Sequence, residues 1–278
     1  MCSHKTSTFD KEYLDSLNRL YNENSKLMGL KWFLDNAHHW AYKKISAPKV
    51  VILGTAFPEE IVMAAGAEPY WIIGGSLGSV AWSDESVPRD TDPVSRSIAG
   101  YINKPDGMDF SDSLFIIPLV SDSMRKIAYQ LKSEGRKICL ADIPPNHNDT
   151  YSAEICKNQM KEICMTVSAH TGVRVTKNSA VSAMKRVSLA RTALVKFLEV
   201  SRGRTDIITD SARLFVQNSY YLTDSVDKWT AHVETLAREV AFYASQEKNK
   251  EYNRPAVMVA GSPMIFPNCD ILPRLRYA

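Results

Sequence analysis

Hydrophobic positions along the chain follow two periods. From residue 9 to 45 they recur at helical spacing: Leu14, Leu17, Leu20 and Tyr21, then Trp32, Phe33, Ala37, Trp40 and Ala41. This predicts one or two helices whose aromatics pack into a core or an interface. From Lys49 to Ile143 the pattern changes to short apolar runs separated by helical stretches. Val50–Leu53 has the length and β-branching of a buried strand, and Tyr70–Ile73, Leu114–Pro118 and Lys137–Ala141 read as further strands. Helices are predicted between them at Pro58–Ala65, near Pro93–Tyr101 and at Asp122–Lys132. Strand–helix alternation of this kind predicts a parallel sheet, the Rossmann-like α/β class.

The run Val50–Pro69 shows the unit most clearly. Gly54 and Thr55 end a strand, and Pro58 stands where a helix tolerates a missing N–H. Glu59 and Glu60 favour the positive end of that helix, and Gly66 stops it. In open parallel sheets ligands bind beyond the carboxyl ends of the strands. The rule selects four loops: Gly54–Phe57, Gly74–Gly78, Pro118–Ser123 and Asp142–His147. The second, Gly-Gly-Ser-Leu-Gly, follows a strand and offers backbone N–H groups to a phosphate. It matches neither a P-loop nor a dinucleotide fingerprint, and a plain flexible connection is the better reading.

Beyond Tyr151 helical spacing returns, over residues 152–170, 178–201, 211–222 and 225–246. Lys185, Arg186, Arg191 and Lys196 spread around their helix as on a solvated face. Glu247–Arg254 is polar and reads as a linker. From Pro255 an apolar run, a Gly-Ser-Pro turn and a helix start repeat the opening layout. The domain reading is therefore N-terminal helices over 1–48, a sheet core over 49–150 and a helical segment over 151–253. The onset of a second α/β domain follows over 254–278, cut short at Ala278.

Composition narrows the classes. A 45% hydrophobic and 23% charged chain of 278 residues folds as an ordinary globule. A net charge of +3 gives no reason to expect a nucleic-acid or membrane-surface partner. The polar first twenty residues and the lack of a long apolar run predict a cytoplasmic protein. The five cysteines, Cys2, Cys139, Cys156, Cys164 and Cys269, are scattered and form no C-x-x-C pair. Neither a disulfide framework nor a zinc knuckle is expected.

Several segments resemble one family. Pro58-Glu59-Glu60-Ile61 with Ala64-Ala65-Gly66-Ala67 is similar to a P-x-E-[LI]…A-x-G-A segment of the 2-hydroxyacyl-CoA dehydratase and benzoyl-CoA reductase family. Asp92-Pro93-Val94-Ser95-Arg96-Ser97-Ile98-Ala99-Gly100 resembles its C-P-x-x-K-S-x-x-G segment. Pro118 to Lys126 resembles a segment ending T-C-D-x-x-[RK]-K, and Asp142-Ile143-Pro144 and Ala260-Gly261-Ser262-Pro263 resemble two of its turns. The likeness runs in order over residues 45–278. It implies Rossmann-like subunits paired as heterodimers, a 4Fe–4S cluster held by three cysteines, and an ATP-dependent activator that delivers one electron. The implied reaction is radical dehydration of a 2-hydroxyacyl-CoA thioester.

This chain departs from that pattern at the cluster. The three cysteine positions hold Gly54, Asp92 and Ser121. Soft thiolates suit iron, whereas glycine offers no side chain and a serine hydroxyl is a poor ligand near neutral pH. No cofactor bound by this chain is therefore expected, and the expected partner is a homologous, cysteine-bearing subunit. The resemblance implies a catalytic or substrate-adjacent role for Glu60, with a helix-terminal charge as the alternative. Thr55, Arg96, Ser97, Asp122 and His147 are the candidate substrate-binding residues. Asp122 reads equally as a helix N-cap and Arg96 as a surface charge, and the residues favour both of these plainer roles. Two functions stay open: a dehydratase-type enzyme subunit without its own cluster, or a non-catalytic structural or regulatory partner.

Overall fold

The computed structural model describes residues 7–42, 49–105, 107–142, 144, 150–246, 264–268 and 272. The predicted linker, the turn at 260–263 and His147 lie outside these residues. The chain divides into two compact units. One comprises Met1–Phe9 with Tyr42–Val187, the other Asp10–Ala41 with Ser188–Ala278.

The first unit is built on strands β1 (Val50–Leu53), β2 (Tyr70–Ile72), β3 (Leu114–Pro118) and β4 (Lys137–Ala141). They form one parallel sheet in the order β2-β1-β3-β4, with Val51 opposite Phe115 and Ile116 opposite Cys139. The fold is thus α/β and Rossmann-like. β1 and β3 are buried throughout, which explains why both read as unbroken apolar runs. Side chains alternate across the sheet. Val51, Leu53, Phe115 and Ile117 join Ile98, Ile102, Met124, Ile127 and Leu131 in one core, placing α4 (Pro93–Ile102) and α5 (Asp122–Ser133) on that face. Ile138 packs on the same side, whereas its neighbour Cys139 interacts with Thr166 of α6 (Thr150–Thr171). α6 therefore covers the other face, where it also meets α3 (Glu60–Ala64).

α3 is shorter than its sequence pattern. Pro58 is not the first helical residue, because its carbonyl accepts Ile61 N in a turn and the helix starts at Glu60. A 3₁₀ turn at Val80–Ser83 also goes beyond what periodicity predicts.

In the second unit, α1 (Thr8–Glu23) from Asp10 onward and nearly all of α2 (Met28–Tyr42) sit with α8 (Asp210–Asn218) and α9 (Val226–Gln246). The long helix α7 (Lys177–Ser201) contributes residues to both units. In the stretch read as the start of a further domain, Phe266 is buried against Tyr13 and Phe215 at ring distances of 5.0 and 4.8 Å. Glu239 of α9 accepts Met28 N at 2.8 Å and Gly29 N at 2.7 Å, capping α2 from another helix. Among the described residues no helix is long and apolar enough to cross a membrane.

Candidate functional site

The strand order reverses direction between β1 and β3, so the crevice of this sheet opens at their carboxyl ends. Gly54 leaves β1 there, and Ser121 follows β3 on the adjacent strand. Gly54 adopts φ +73°, donates its N–H to Ile72 O at 2.9 Å, and faces open space where a Cβ would point. Its left-handed backbone explains a glycine at this place.

Asp92 and Ser121 begin the two helices that flank this edge. Asp92 Oδ1 accepts Ser95 N at 2.9 Å and caps α4. Ser121 Oγ accepts Met124 N at 3.2 Å and caps α5. The two N-termini are tied together, since Asp92 N donates to Ser123 Oγ at 3.2 Å and Ser95 Oγ lies 3.8 Å from Met124 Sδ. Burial pushes the Asp92 carboxyl up, but hydrogen bonds from Ser95, Ser123 and Val94 outweigh it and hold the group below its ordinary value.

The donor set does not fit an iron–sulfur cluster. Gly54 supplies no side-chain donor, and Asp92 Oδ1 and Ser121 Oγ each accept a backbone N–H at their own helix end. Among the described residues no group of three or more His, Cys, Asp or Glu is placed to hold a metal. Cys139 is buried in β4, and burial pushes its thiol up, as it does for Cys164 on α6.

The other candidates scatter in role. Thr55 is exposed on the loop after Gly54. Glu60 is partly buried in the first turn of α3, with Oε2 enclosed by protein. Its neighbour Glu59, which helix-terminus reasoning treats as a mere charge, is the more deeply buried carboxylate, at 5% exposure. Asp122 is not the N-cap of α5, because Ser121 fills that place. Asp122 is instead exposed in the first turn, 3.5 Å from Lys126, which also reaches Asp90 at 3.1 Å. Arg96 is not a surface charge: its side chain is 19% exposed and ion-pairs with Asp84.

Ser97 is buried and holds a loop in place. Its Oγ accepts Ser76 N at 3.1 Å and lies 2.9 Å from Ser79 Oγ, whose hydroxyl also reaches Ser97 O at 3.1 Å. Ser79 N in turn donates to Ser76 Oγ at 3.3 Å. Two N–H groups at the end of the glycine-rich stretch are therefore spent inside the protein rather than presented to a phosphate. Gly100, one turn on from Ser97, lets the Ser79 carbonyl approach α4 where a Cβ would collide. This clamp accounts for the serine and glycine of the second matching segment. Periodicity gives no sign of it, because it arises from a loop folding back on a helix.

The chain is similar to known proteins. A family model described as 2-hydroxyglutaryl-CoA dehydratase, D-component, matches residues 54–276. A relative from Escherichia coli (strain K12), named "Putative dehydratase subunit YjiM", is 24% identical over 225 residues, which is 80% of this chain. The chain spans 58% of that relative's length.

Proposed function

Because this chain belongs to the 2-hydroxyglutaryl-CoA dehydratase D-component family, we propose that it acts as one subunit of a 2-hydroxyacyl-CoA dehydratase-type complex and holds no iron–sulfur cluster of its own. One observation carries this reading. At the three positions where the family resemblance places cysteine ligands, this chain has a left-handed glycine and two helix caps. A cubane is retained by thiolates, which make strong bonds to iron and delocalise charge onto it. A capping serine or aspartate that turned toward a metal would abandon its helix end.

The redox centre then belongs to a homologous, cysteine-bearing subunit, served by an ATP-dependent activator. This chain's part is to complete the acyl-CoA pocket. Thr55 lies on the loop after β1 and Glu60 in the first turn of the helix that follows, and on this reading the Glu60 carboxylate makes a polar contact to the thioester substrate. Isothermal titration of the purified chain with a 2-hydroxyacyl-CoA tests this part. Saturable binding that weakens at least tenfold in Glu60→Gln is expected, a loss of about 1.4 kcal/mol.

A second reading has a specific observation behind it. Arg96 and Ser97, both candidates for substrate contact, already have intramolecular partners. A purely structural or regulatory subunit would show that economy of polar groups. Absence of acyl-CoA binding by the isolated chain and by its reconstituted complex, with assembly intact, would select this reading over the first.

A further inference from the structure

At the opposite ends of α4 and α5 from the crevice lies a cleft of about 500 Å³ that the dehydratase reading does not use. It is lined by Trp82, Glu85, Ser86, Asn103, Gln130, Ser133 and Glu134. Asn103 is the C-cap of α4 and Glu134 the C-cap of α5. Both helices therefore turn their negative dipole ends toward it. We propose that this cleft is a binding site for an alkylammonium or guanidinium group, an organic cation on an aliphatic stem.

The lining presents two carboxylates and further acceptors beside the Trp82 indole and the Asn103 amide. Ser86 Oγ donates to Ser83 O at 3.0 Å and Ser133 Oγ to Gln130 O at 2.7 Å, so both hydroxyl protons are spent and lone pairs remain. Gln130 Nε2 donates to Glu134 Oε1 at 2.7 Å, while Gln130 Oε1 is enclosed with no hydrogen-bond partner among the described residues. Glu85 has no ion-pair partner among the described residues, and Glu134 has only Arg136 Nε at 3.8 Å.

Of the neighbouring cations, Arg136 stays beside Glu134 and Lys132 is exposed on α5, while three others are engaged elsewhere. Arg96 pairs with Asp84, Lys126 with Asp90, and Lys104 lies over the Phe9 ring at 4.4 Å. Two carboxylates, two helix C-termini and an indole wall match an ammonium or guanidinium ion. An anion or a neutral apolar ligand would leave these charges and acceptors unanswered.

Calorimetric titration of the full chain with three probes tests the site. These are spermidine, an acetylated lysine-containing tripeptide amide, and its norleucine counterpart. Saturable one-to-one binding of a charged probe, none of norleucine, and a loss of about tenfold or more in E85Q/E134Q are expected. Trp82→Leu should weaken binding separately. Tighter binding of the peptide assigns the site to a lysine or arginine of a partner protein, and tighter binding of spermidine assigns it to a free polyamine. Both substituted glutamates are exposed C-terminal or loop residues, and circular dichroism checks that the fold persists. The proposal is overturned if neither charged probe saturates at millimolar concentration, if the double substitution leaves binding unchanged, or if norleucine binds as well as lysine.

Discussion

Asp92 shows how one residue type carries two meanings. As an isolated letter it is a plausible ligand for iron; in the structure it is a helix cap that also anchors a neighbouring helix through its own N–H. Asp92→Ala should cost about 1 kcal/mol in urea denaturation, the usual value of a lost N-cap. Its folded carboxyl is held below the ordinary value of 3.8. A depressed folded value means the group stabilises the protein above its unfolded value and loses that contribution as pH falls through the folded one. Asp92→Asn, which keeps an acceptor, should therefore flatten the acid limb of the stability profile below about pH 4. An unchanged limb would show that the cap does not govern it. Residue chemistry was legible in the sequence here, but position was less so. A cap was expected at Asp122 and stands one residue earlier at Ser121, because both are good capping types and only the backbone turn at Ser121 decides between them.

Among elements, the strands were the most legible. β1 and β3 begin and end where their apolar runs do, since a buried parallel strand needs apolar side chains on both faces, and the edge strand β4 spans its expected residues with Lys137 and Leu140 exposed. The loop from Gly74 to Ser83 was not legible. Its folding back on α4 depends on tertiary approach at Gly100 and on hydroxyl pairing of Ser76, Ser79 and Ser97. Gly100→Ala should destabilise the protein by at least about 2 kcal/mol, because the intruding methyl meets backbone that cannot rotate away. Chemical denaturation measures it, and a change within error would mean that the loop is not clamped. The cap that Glu239 places on α2 was equally hidden, since it joins residues 210 and 211 positions apart. Glu239→Ala should cost about 2 kcal/mol for two hydrogen bonds to a charged acceptor, whereas Glu239→Gln should recover part of that.

For the whole molecule, membership in the dehydratase family and the Rossmann-like sheet set the frame, and the departures at Gly54, Asp92 and Ser121 give this chain its particular character. Ser97 and Gly100, which clamp a loop, and the helix starts beside the crevice build the fold of the first unit. At the three positions where the resemblance places cluster ligands, the chain has Gly54, Asp92 and Ser121. On the proposed reading the subunit keeps its architecture without a redox centre of its own, since two of the three positions serve as helix caps. The direct test is iron and sulfide analysis, with visible absorption, of the chain purified anaerobically and then incubated with iron and sulfide. Colourless protein with trace iron, beside a co-expressed cysteine-bearing homologue that retains its iron, is the predicted result; a full cubane in this chain alone would contradict it.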